Sequence, residues 1–275
     1  MVSWGLAWTN AKIVGSYVDA LIIMPWRFGI ASIFFTFVVY LSQNPFKITS
    51  RAFIFIFINS IFMVSYSFFF FKGTQIGLAG KGGVFVTTLN PLLTSLITGF
   101  FFNTKFKRSD FWGLALGFLG GLIIIEFWNI SFNQLKNSGN LYFICAALSW
   151  TFVTIVTNKS KSEVPFITYS FWSFTISLLF SIFIARNSDL KQVLEFDFRF
   201  WINMFFLSIG AMGFGTTIYF LASIQLGAKR ASSFIFTVPI TAMGFSMLFL
   251  NESLTLNILI GGALGIVAVY LINKK

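Results

Sequence analysis

Long apolar runs, separated by short polar or charged segments, make up the whole chain. A helix that crosses the hydrocarbon core of a bilayer needs roughly 17–25 predominantly apolar residues. On that measure the pattern predicts ten membrane-spanning helices, at 1–17, 24–42, 52–71, 78–101, 109–127, 139–158, 166–185, 199–222, 229–250 and 254–273. The first run contains Asn10 and Lys12 and lacks a basic leader, so we do not expect it to be a cleavable signal peptide.

The fourth and fifth runs return as the ninth and tenth in one unbroken register. The identical pairs are Leu78/Leu226, Lys81/Lys229, Pro91/Pro239, Asn103/Asn251, Gly113/Gly261, Ala115/Ala263 and Gly117/Gly265. Each half then has five spans, and an odd number inverts the second copy in the membrane. We therefore predict an all-α membrane protein whose two inverted five-helix repeats, residues 1–127 and 139–275 joined by a linker at 128–138, surround a central cavity.

Basic residues in the segments between spans indicate the orientation. One side carries Lys47, Arg51, Lys105, Lys107, Arg108, Lys159, Lys161, Lys229, Arg230, Lys274 and Lys275. The other side carries Lys72, Lys81, Lys136, Arg186, Lys191 and Arg199. Because loops rich in lysine and arginine stay in the cytoplasm, both termini are expected there, with the protein in the inner (plasma) membrane.

Composition excludes several classes of function. The chain is 57% hydrophobic and only 10% charged, and it has no histidine. Histidine-based metal sites, proton relays and catalytic triads are therefore excluded, and the single cysteine, Cys145, cannot form an internal disulfide. No nucleotide-binding loop is present, and the net charge of +11 is spread over short clusters rather than a nucleic-acid-binding patch. We expect no enzyme activity, no metal, no cofactor and no nucleic-acid partner.

Four short motifs, in order along the chain, carry a family resemblance. They are Ser3-Trp4-Gly5 followed by Lys12, Arg27-Phe28, Gly77-Leu78-Ala79 leading to Asn90-Pro91-Leu92, and Leu250-Asn251-Glu252 before Gly261. Together they resemble the EamA-type ten-helix members of the drug/metabolite transporter superfamily. The resemblance implies a transporter whose first and sixth spans flank a central cavity. The halves are unequal, because Thr104 stands opposite Glu252 in the repeat and Asn158 stands opposite Lys12.

The first span has the most polar face. Trp4, Trp8 and Lys12 are four residues apart and so share one side of a helix. One interpretation is that this side faces a cavity, where Lys12 attracts an anionic group between tryptophan walls. The alternative is that Lys12 extends to the membrane interface or pairs with Asp19. Further candidate contacts to a solute are Asn10, Tyr66, Asn90, Trp150, Thr154, Tyr219 and Thr237.

Prolines and glycines inside spans have backbone roles. Pro91 and Pro239 each remove a helical hydrogen bond, so they are candidate hinges for gating or static kinks. Gly113, Gly117, Gly121, Gly261 and Gly265 form G-x-x-x-G patterns, which let helices approach closely; we interpret them as packing positions.

The sequence as a whole favours a secondary transporter that exports a small amphipathic metabolite, such as an amino acid or its derivative, by alternating access. No acidic residue falls in the middle of a span, and proton-coupled carriers usually bury one, which favours uniport or exchange. The alternative is a structural or assembly protein of the membrane with no transport activity.

Overall fold

The computed structural model describes residues 1–101, 108–129, 139–160 and 163–273. The side chains of a few residues within these ranges, Thr237 among them, are outside the description. The predicted linker lies outside it from residue 130 to residue 138, as do Lys105, Lys107, Lys136, Lys161, Lys274 and Lys275.

The described residues form helices joined by short connections, without a strand among them. The helices are α1 (Val2–Gly15), α2 (Ala20–Leu41), α3 (Ser50–Ile76), α4 (Ala79–Phe101), α5 (Arg108–Ile125), α6 (Asn140–Lys159), α7 (Phe166–Ile184), α8 (Phe198–Leu226), α9 (the consecutive segments Ala228–Ser233, Phe234–Thr237 and Val238–Leu250) and α10 (Leu256–Asn273). Short 3-10 turns lie at Phe127–Asn129 and Leu190–Glu195. Among the residues described, α2, α3, α4, α6, α7 and α8 are long and apolar enough to cross a membrane, and α5, α9 and α10 contain shorter apolar helices.

Polar side chains set where several helices begin. The Asp19 carboxylate accepts a hydrogen bond of 3.0 Å from the Leu21 amide, and the Thr49 hydroxyl accepts one of 3.1 Å from the Ala52 amide. Such caps satisfy amides that have no partner within the helix. α2 and α3 therefore start at Ala20 and Ser50, earlier than the apolar runs that predicted them at 24 and 52.

α3 also continues to Ile76, five residues beyond its predicted end. Its polar last turn is held by α1 and the turn that follows it. Lys72 forms an ion pair with Asp19, and the Gln75 amide donates to the carbonyls of Gly15 and Val18. Hydropathy alone ends the helix too soon because it does not register these tertiary partners.

Helices at matching positions in the two halves pack against each other. α2 contacts α7, α4 contacts α9, and α5 contacts α10. Further contacts are paired in the same way: α3 lies on α6 as α8 lies on α1, and α4 lies on α6 as α9 lies on α1. Helices from both halves consequently line one central volume.

Glycines bring α4, α5 and α10 together. A methyl group at Gly261 would lie 2.5 Å from the Gly120 carbonyl oxygen, and one at Gly265 would lie 2.1 Å from the Thr88 side chain. On α5, a methyl group at Gly117 would lie 2.2 Å from Leu92 of α4. Gly121 is less tightly placed, with its nearest neighbour at 3.4 Å, and Gly113 is buried. These approaches are within one protomer, and the packing role of the five predicted glycines stays a prediction.

The surface and the interior divide as they do in a protein surrounded by lipid. Large apolar side chains such as Phe37, Phe183 and Leu248 point outward. Polar side chains such as Asn59 and Ser173 are buried, where Asn59 donates to Ser173 across the α3–α7 contact at 3.2 Å. Hydrogen bonds between helices of this kind stabilise packing where lipid offers no polar partner.

Candidate functional site

A cavity lies where helices of the two halves meet. Its lining is mostly aromatic, with a few polar groups: Trp4, Ala7, Trp8, Arg27, Met63, Tyr66, Ser67, Phe70, Val86, Thr87, Asn90, Trp150, Ala211, Met212, Thr216, Ile235 and Val238. Its volume, measured as the space that centres of water molecules can occupy, is about 40 Å³. That is room for a few water molecules. A metabolite would therefore have to displace the surrounding rings to enter.

Trp4 and Trp150 form one wall of the cavity. Their ring centroids are 5.2 Å apart and their planes are perpendicular, the edge-to-face arrangement that aromatic quadrupoles favour. The Trp4 indole also donates to the carbonyl of Ala211 in α8 at 3.0 Å. This bond fixes the orientation of Trp4 and connects α1 to the second half of the chain.

The middle of α8 is a π-helix from Phe206 to Thr216. The Ala211 carbonyl in this stretch accepts hydrogen bonds from the Trp4 indole and, at 3.3 Å, from the Thr216 hydroxyl. π-helical turns are rare and occur frequently at functional sites. Ala211, Met212 and Thr216 all line the cavity, so this irregular stretch forms part of its wall.

Tyr219 and Thr154 lie directly behind the tryptophan wall. The Tyr219 ring centroid is 5.0 Å from that of Trp4 and 5.7 Å from that of Trp150. The hydroxyl groups of Tyr219 and Thr154 are 2.8 Å apart and form a buried hydrogen bond between α8 and α6. Both residues were predicted to contact a solute; here they support the two tryptophans and are not part of the lining.

Tyr66 and Trp8 extend the aromatic lining around Phe70, and the Tyr66 ring centroid lies 4.6 Å from that of Trp150. The rings of Tyr66 and Phe70 are stacked with centroids 5.6 Å apart, and Trp8 meets Phe70 edge-on at 4.7 Å. Trp8 is only 2% exposed, whereas Tyr66 is partly open to the cavity. The structure thus places both predicted residues in the lining.

Asn90 brings a polar group to the cavity beside Pro91. Its side-chain amide nitrogen donates to the Ala147 carbonyl at 3.3 Å and to the Thr151 hydroxyl at 3.1 Å, which connects α4 to α6. Its Oδ1 has no hydrogen-bond partner in the described part of the protein. Asn90 therefore lines the cavity, as predicted, and its Oδ1 is available to accept a hydrogen bond.

Lys12 lies outside the cavity. Its ammonium group donates to the carbonyls of Gln75 at 3.1 Å and Gly77 at 2.8 Å, where α3 ends. It does share a helix side with Trp4, but eight residues of helix carry it about 12 Å further along the axis. Lys12 lines a second, more open pocket instead, together with Tyr17 and Arg199. A solute contact at Lys12 therefore stays a prediction, and it does not concern the aromatic cavity. The alternative pairing with Asp19 is wrong, because Asp19 pairs with Lys72.

Two other candidates are not in the lining. Asn10 is 4% exposed, and its side-chain nitrogen has no partner among the described residues. It does not border the cavity, because it lies on a different side of α1 from Trp4 and Trp8. Thr237 cannot be placed, since its side chain is outside the described residues.

The two prolines have different surroundings. α4 continues from Ala79 to Phe101 across Pro91 without interruption. α9 is broken by a 3-10 turn, Phe234–Thr237, two residues before Pro239. Both prolines are buried. Whether the prolines act as hinges or static kinks stays a prediction. Of the two helices, only the one around Pro239 is irregular in this structure.

Arg27 is the cavity residue that sequence reasoning missed. It was taken only as part of the Arg27-Phe28 family motif, yet it is 5% exposed and lines the cavity. An arginine at the centre of a membrane helix costs about 2.5–3.5 kcal/mol on insertion scales. The sequence alone could have indicated this residue, because Arg27 is a charged residue in an apolar run that contains no acidic residue to pair with it.

Comparison with known proteins identifies the family. The model of the EamA-like transporter family matches residues 1–126 and again residues 137–274. The chain belongs to this family, and it is a multi-pass membrane transporter of the drug/metabolite transporter superfamily.

The relatives of this chain among known proteins are distant in sequence. The chain is 23% identical to the Uncharacterized transporter YoaV of Bacillus subtilis (strain 168) over 262 residues, covering 95% of this chain and 89% of that protein. It is 22% identical to a "Probable amino-acid metabolite efflux pump" of Salmonella typhimurium, covering 74% and 70% of the two chains. It is 27% identical to the chloroplastic WAT1-related protein At3g02690 of Arabidopsis thaliana, covering 74% and 51%.

The fold also occurs in a solved structure. A protein crystal structure superposes with a TM-score of 0.68, covering 98% of this chain and 94% of the other. Sequence identity between the two is only 14%. The likeness therefore shows a shared fold.

Proposed function

We propose that the protein is a secondary transporter that exports a small amphipathic metabolite, such as an amino acid or a derivative, by alternating access without ATP hydrolysis. The observation that carries the proposal is the aromatic and polar cavity, which takes its lining from both family-matched segments. Sites enclosed between two repeats are the usual arrangement of secondary transporters. The relative from Salmonella, named as an amino-acid metabolite efflux pump, supports the substrate class.

The proposal includes a ten-span topology with inverted halves, 1–127 and 139–275, in the plasma membrane and with both termini in the cytoplasm. The paired helix contacts of α2 with α7, α4 with α9 and α5 with α10 support it, because a two-fold axis brings equivalent helices together. Reporter fusions at the two termini test the topology. Termini on opposite sides of the membrane would contradict it.

Within this proposal Trp4, Trp8, Tyr66, Asn90 and Trp150 contact the solute. The rings provide an apolar enclosure, and Asn90 Oδ1 provides an acceptor for a donor group on the solute. Tyr219 and Thr154 keep the tryptophans in place.

Transport by uniport or exchange is part of the proposal. Four acidic side chains in the described part of the chain are engaged near helix ends: Asp19 and Asp197 cap α2 and α8, Glu163 pairs with Arg51, and Glu252 binds amides of α4. None of them lines the cavity, where a proton relay would be expected.

Counterflow in vesicles tests the function. Solutes are first identified by comparing the medium of cells with and without the protein. Purified protein in vesicles preloaded with an identified solute, at equal pH on both sides, is expected to accumulate labelled solute transiently. Trp150→Ala should reduce the initial rate, whereas Trp128→Ala, at an exposed tryptophan outside the cavity, should not. A strict need for a pH gradient would refute uniport and exchange, and no counterflow by folded protein would favour the structural alternative.

A further inference from the structure

Arg27 carries a buried charge at the wall of the cavity. The guanidinium carbon lies 5.5 Å from the ring centroid of Phe70 and 5.3 Å from that of Phe71. The side chain is 5% exposed and belongs to the cavity lining. Two phenylalanine faces thus hold the group from α3, an arrangement that stabilises a cation through the ring quadrupoles.

Two of the three nitrogens of this guanidinium, Nε and Nη1, are buried without a hydrogen-bond partner in the described part of the protein. No acidic residue is part of the cavity lining in the described structure, and the ion pairs of Arg51 with Glu163 and of Lys72 with Asp19 lie outside it. Burying a charge without hydrogen-bond partners or a counter-ion costs free energy. A ligand that supplies an opposite charge and hydrogen-bond acceptors would remove this cost, and its binding would be stabilised accordingly.

The chemistry of the unused groups specifies the occupant. A guanidinium presents N–H groups in a rigid plane that matches the two oxygens of a carboxylate. The rings of Trp4, Trp8 and Trp150 line the same cavity and suit an apolar body rather than a second charge. Asn90 Oδ1, which has no partner in the described structure, is an acceptor that a donor group on the same molecule would satisfy.

We propose that Arg27 is the anchor for the carboxylate of the transported solute, so that the protein carries small organic acids with an apolar side group, amino acids and 2-oxo acids included. This inference rests on the proposed transport function and deepens it. It also explains why the chain keeps an unpaired arginine among apolar residues: the charge is neutralised when the solute is bound.

A stability measurement separates a binding role from a structural one. If Arg27 serves the solute, replacing it by Met removes an uncompensated buried charge, and the Tm of the purified protein without solute should rise or stay the same. If Arg27 serves the fold, Arg27→Met should lower the Tm. Arg186→Met is the matched control, because Arg186 also lies over a phenylalanine, Phe183 at 5.1 Å, but is exposed outside the cavity.

A transport measurement tests the carboxylate directly. Vesicles are loaded with an equimolar mixture of phenylalanine, leucine, phenylpyruvate and 4-methyl-2-oxopentanoate together with the amide of each, and efflux is followed by mass spectrometry. The wild-type protein should release acids in preference to amides. Arg27→Gln should reduce acid efflux by about 10- to 100-fold, the weight of a charge-assisted hydrogen bond. Arg27→Lys should retain part of the preference, and Arg186→Gln all of it.

Three results would overturn the proposal. Equal efflux of acids and amides from wild-type vesicles would show that the carboxylate is not recognised. Unchanged acid preference in Arg27→Gln would show that another group recognises it. Efflux of neither set, from protein that is folded and inserted, would remove the proposed function itself and this inference with it. The first two results leave transport standing, so the two failures are distinguishable.

Discussion

Two cations within the apolar runs, Lys12 and Arg27, have opposite surroundings. Lys12 donates to two carbonyls at the end of α3, where a cation also faces the negative end of the helix dipole. Arg27 has no hydrogen-bond partner for its Nε and Nη1 in the described structure. The first residue therefore stabilises the fold, whereas the second is available to a ligand.

Replacing Lys12 by Met should lower stability without changing selectivity. The variant leaves the carbonyls of Gln75 and Gly77 without their donor, which costs about 1–3 kcal/mol for buried acceptors. Thermal unfolding in detergent should show a lower Tm, and vesicle efflux should show the wild-type preference for acids over amides. Lys12→Arg keeps a donor at this position and serves as the control. A loss of acid preference in Lys12→Met would return Lys12 to the list of solute contacts.

Close helix packing is carried by α5 and α10. The backbones of these helices meet at Gly120 and Gly261, where a methyl group on either residue would overlap the carbonyl oxygen of the other at 2.7 Å or less. Small residues allow this approach, and with it van der Waals contact that lipid cannot replace. Gly120 was not among the predicted packing positions, because a sequence pattern does not show which of two neighbouring glycines, Gly120 or Gly121, faces the partner helix.

Gly261→Ala should destabilise the protein, and Gly244→Ala should not. The first substitution pushes a methyl group against backbone that has no room to move, an overpacking that costs about 1–3 kcal/mol. Gly244 in α9 has open space around the corresponding position, so alanine there should be neutral or stabilising by up to about 1 kcal/mol through its helix propensity. Thermal unfolding of both variants provides the comparison. Equal Tm values would mean that the α5–α10 contact contributes little.

One end of the bundle is closed by several polar contacts, and we call it the latch end. The Glu252 carboxylate accepts hydrogen bonds of 2.7 Å from the amides of both Ala79 and Gly80 at the start of α4. Lys12 and Gln75 join α1 to the end of α3 nearby. Burial would raise the pKa of the Asp19 carboxyl, but the Leu21 amide and the Lys72 ammonium lower it overall, so this carboxyl is ionised at neutral pH.

Alternating access requires the latch end to open, and Glu252→Ala should favour opening. The variant removes the charged acceptor that joins the connection between α9 and α10 to the positive end of the α4 dipole. In a Cys145→Ser background, a cysteine at Ala7 in the cavity should react several-fold faster with a membrane-impermeant thiol reagent added from the latch side. Glu252→Gln should give a smaller increase, because it keeps one oxygen.

Glu163→Gln is the matched control for that experiment. Glu163 pairs with Arg51 at 3.3 Å and is not part of the latch end. Its substitution should leave the labelling rate from the latch side unchanged. If Glu252→Ala also leaves the rate unchanged, the carboxylate is a helix cap and does not control access.

The apolar pattern was sufficient to predict the class of protein and the position of each helix to within a few residues. This works because a bilayer imposes a length and a polarity on every segment that crosses it, and these can be counted along the chain. The family, too, was recognisable from short motifs in the right order, and the match over residues 1–126 and 137–274 confirms it. Helix ends were less accurate, since the caps of α2 and α3 and the partners of Gln75 are tertiary contacts.

The candidate site divides in the same way. Trp4, Trp8, Tyr66, Asn90 and Trp150 were identifiable in the sequence as polar or aromatic residues in otherwise apolar spans, and the structure brings them to one cavity. Only the packing of the helices separated Lys12 from Arg27. Burial and the distance to a carbonyl depend on neighbours that are far away in sequence. Periodicity tells which side of a helix a residue occupies; what that side meets is decided by the helices that pack on it.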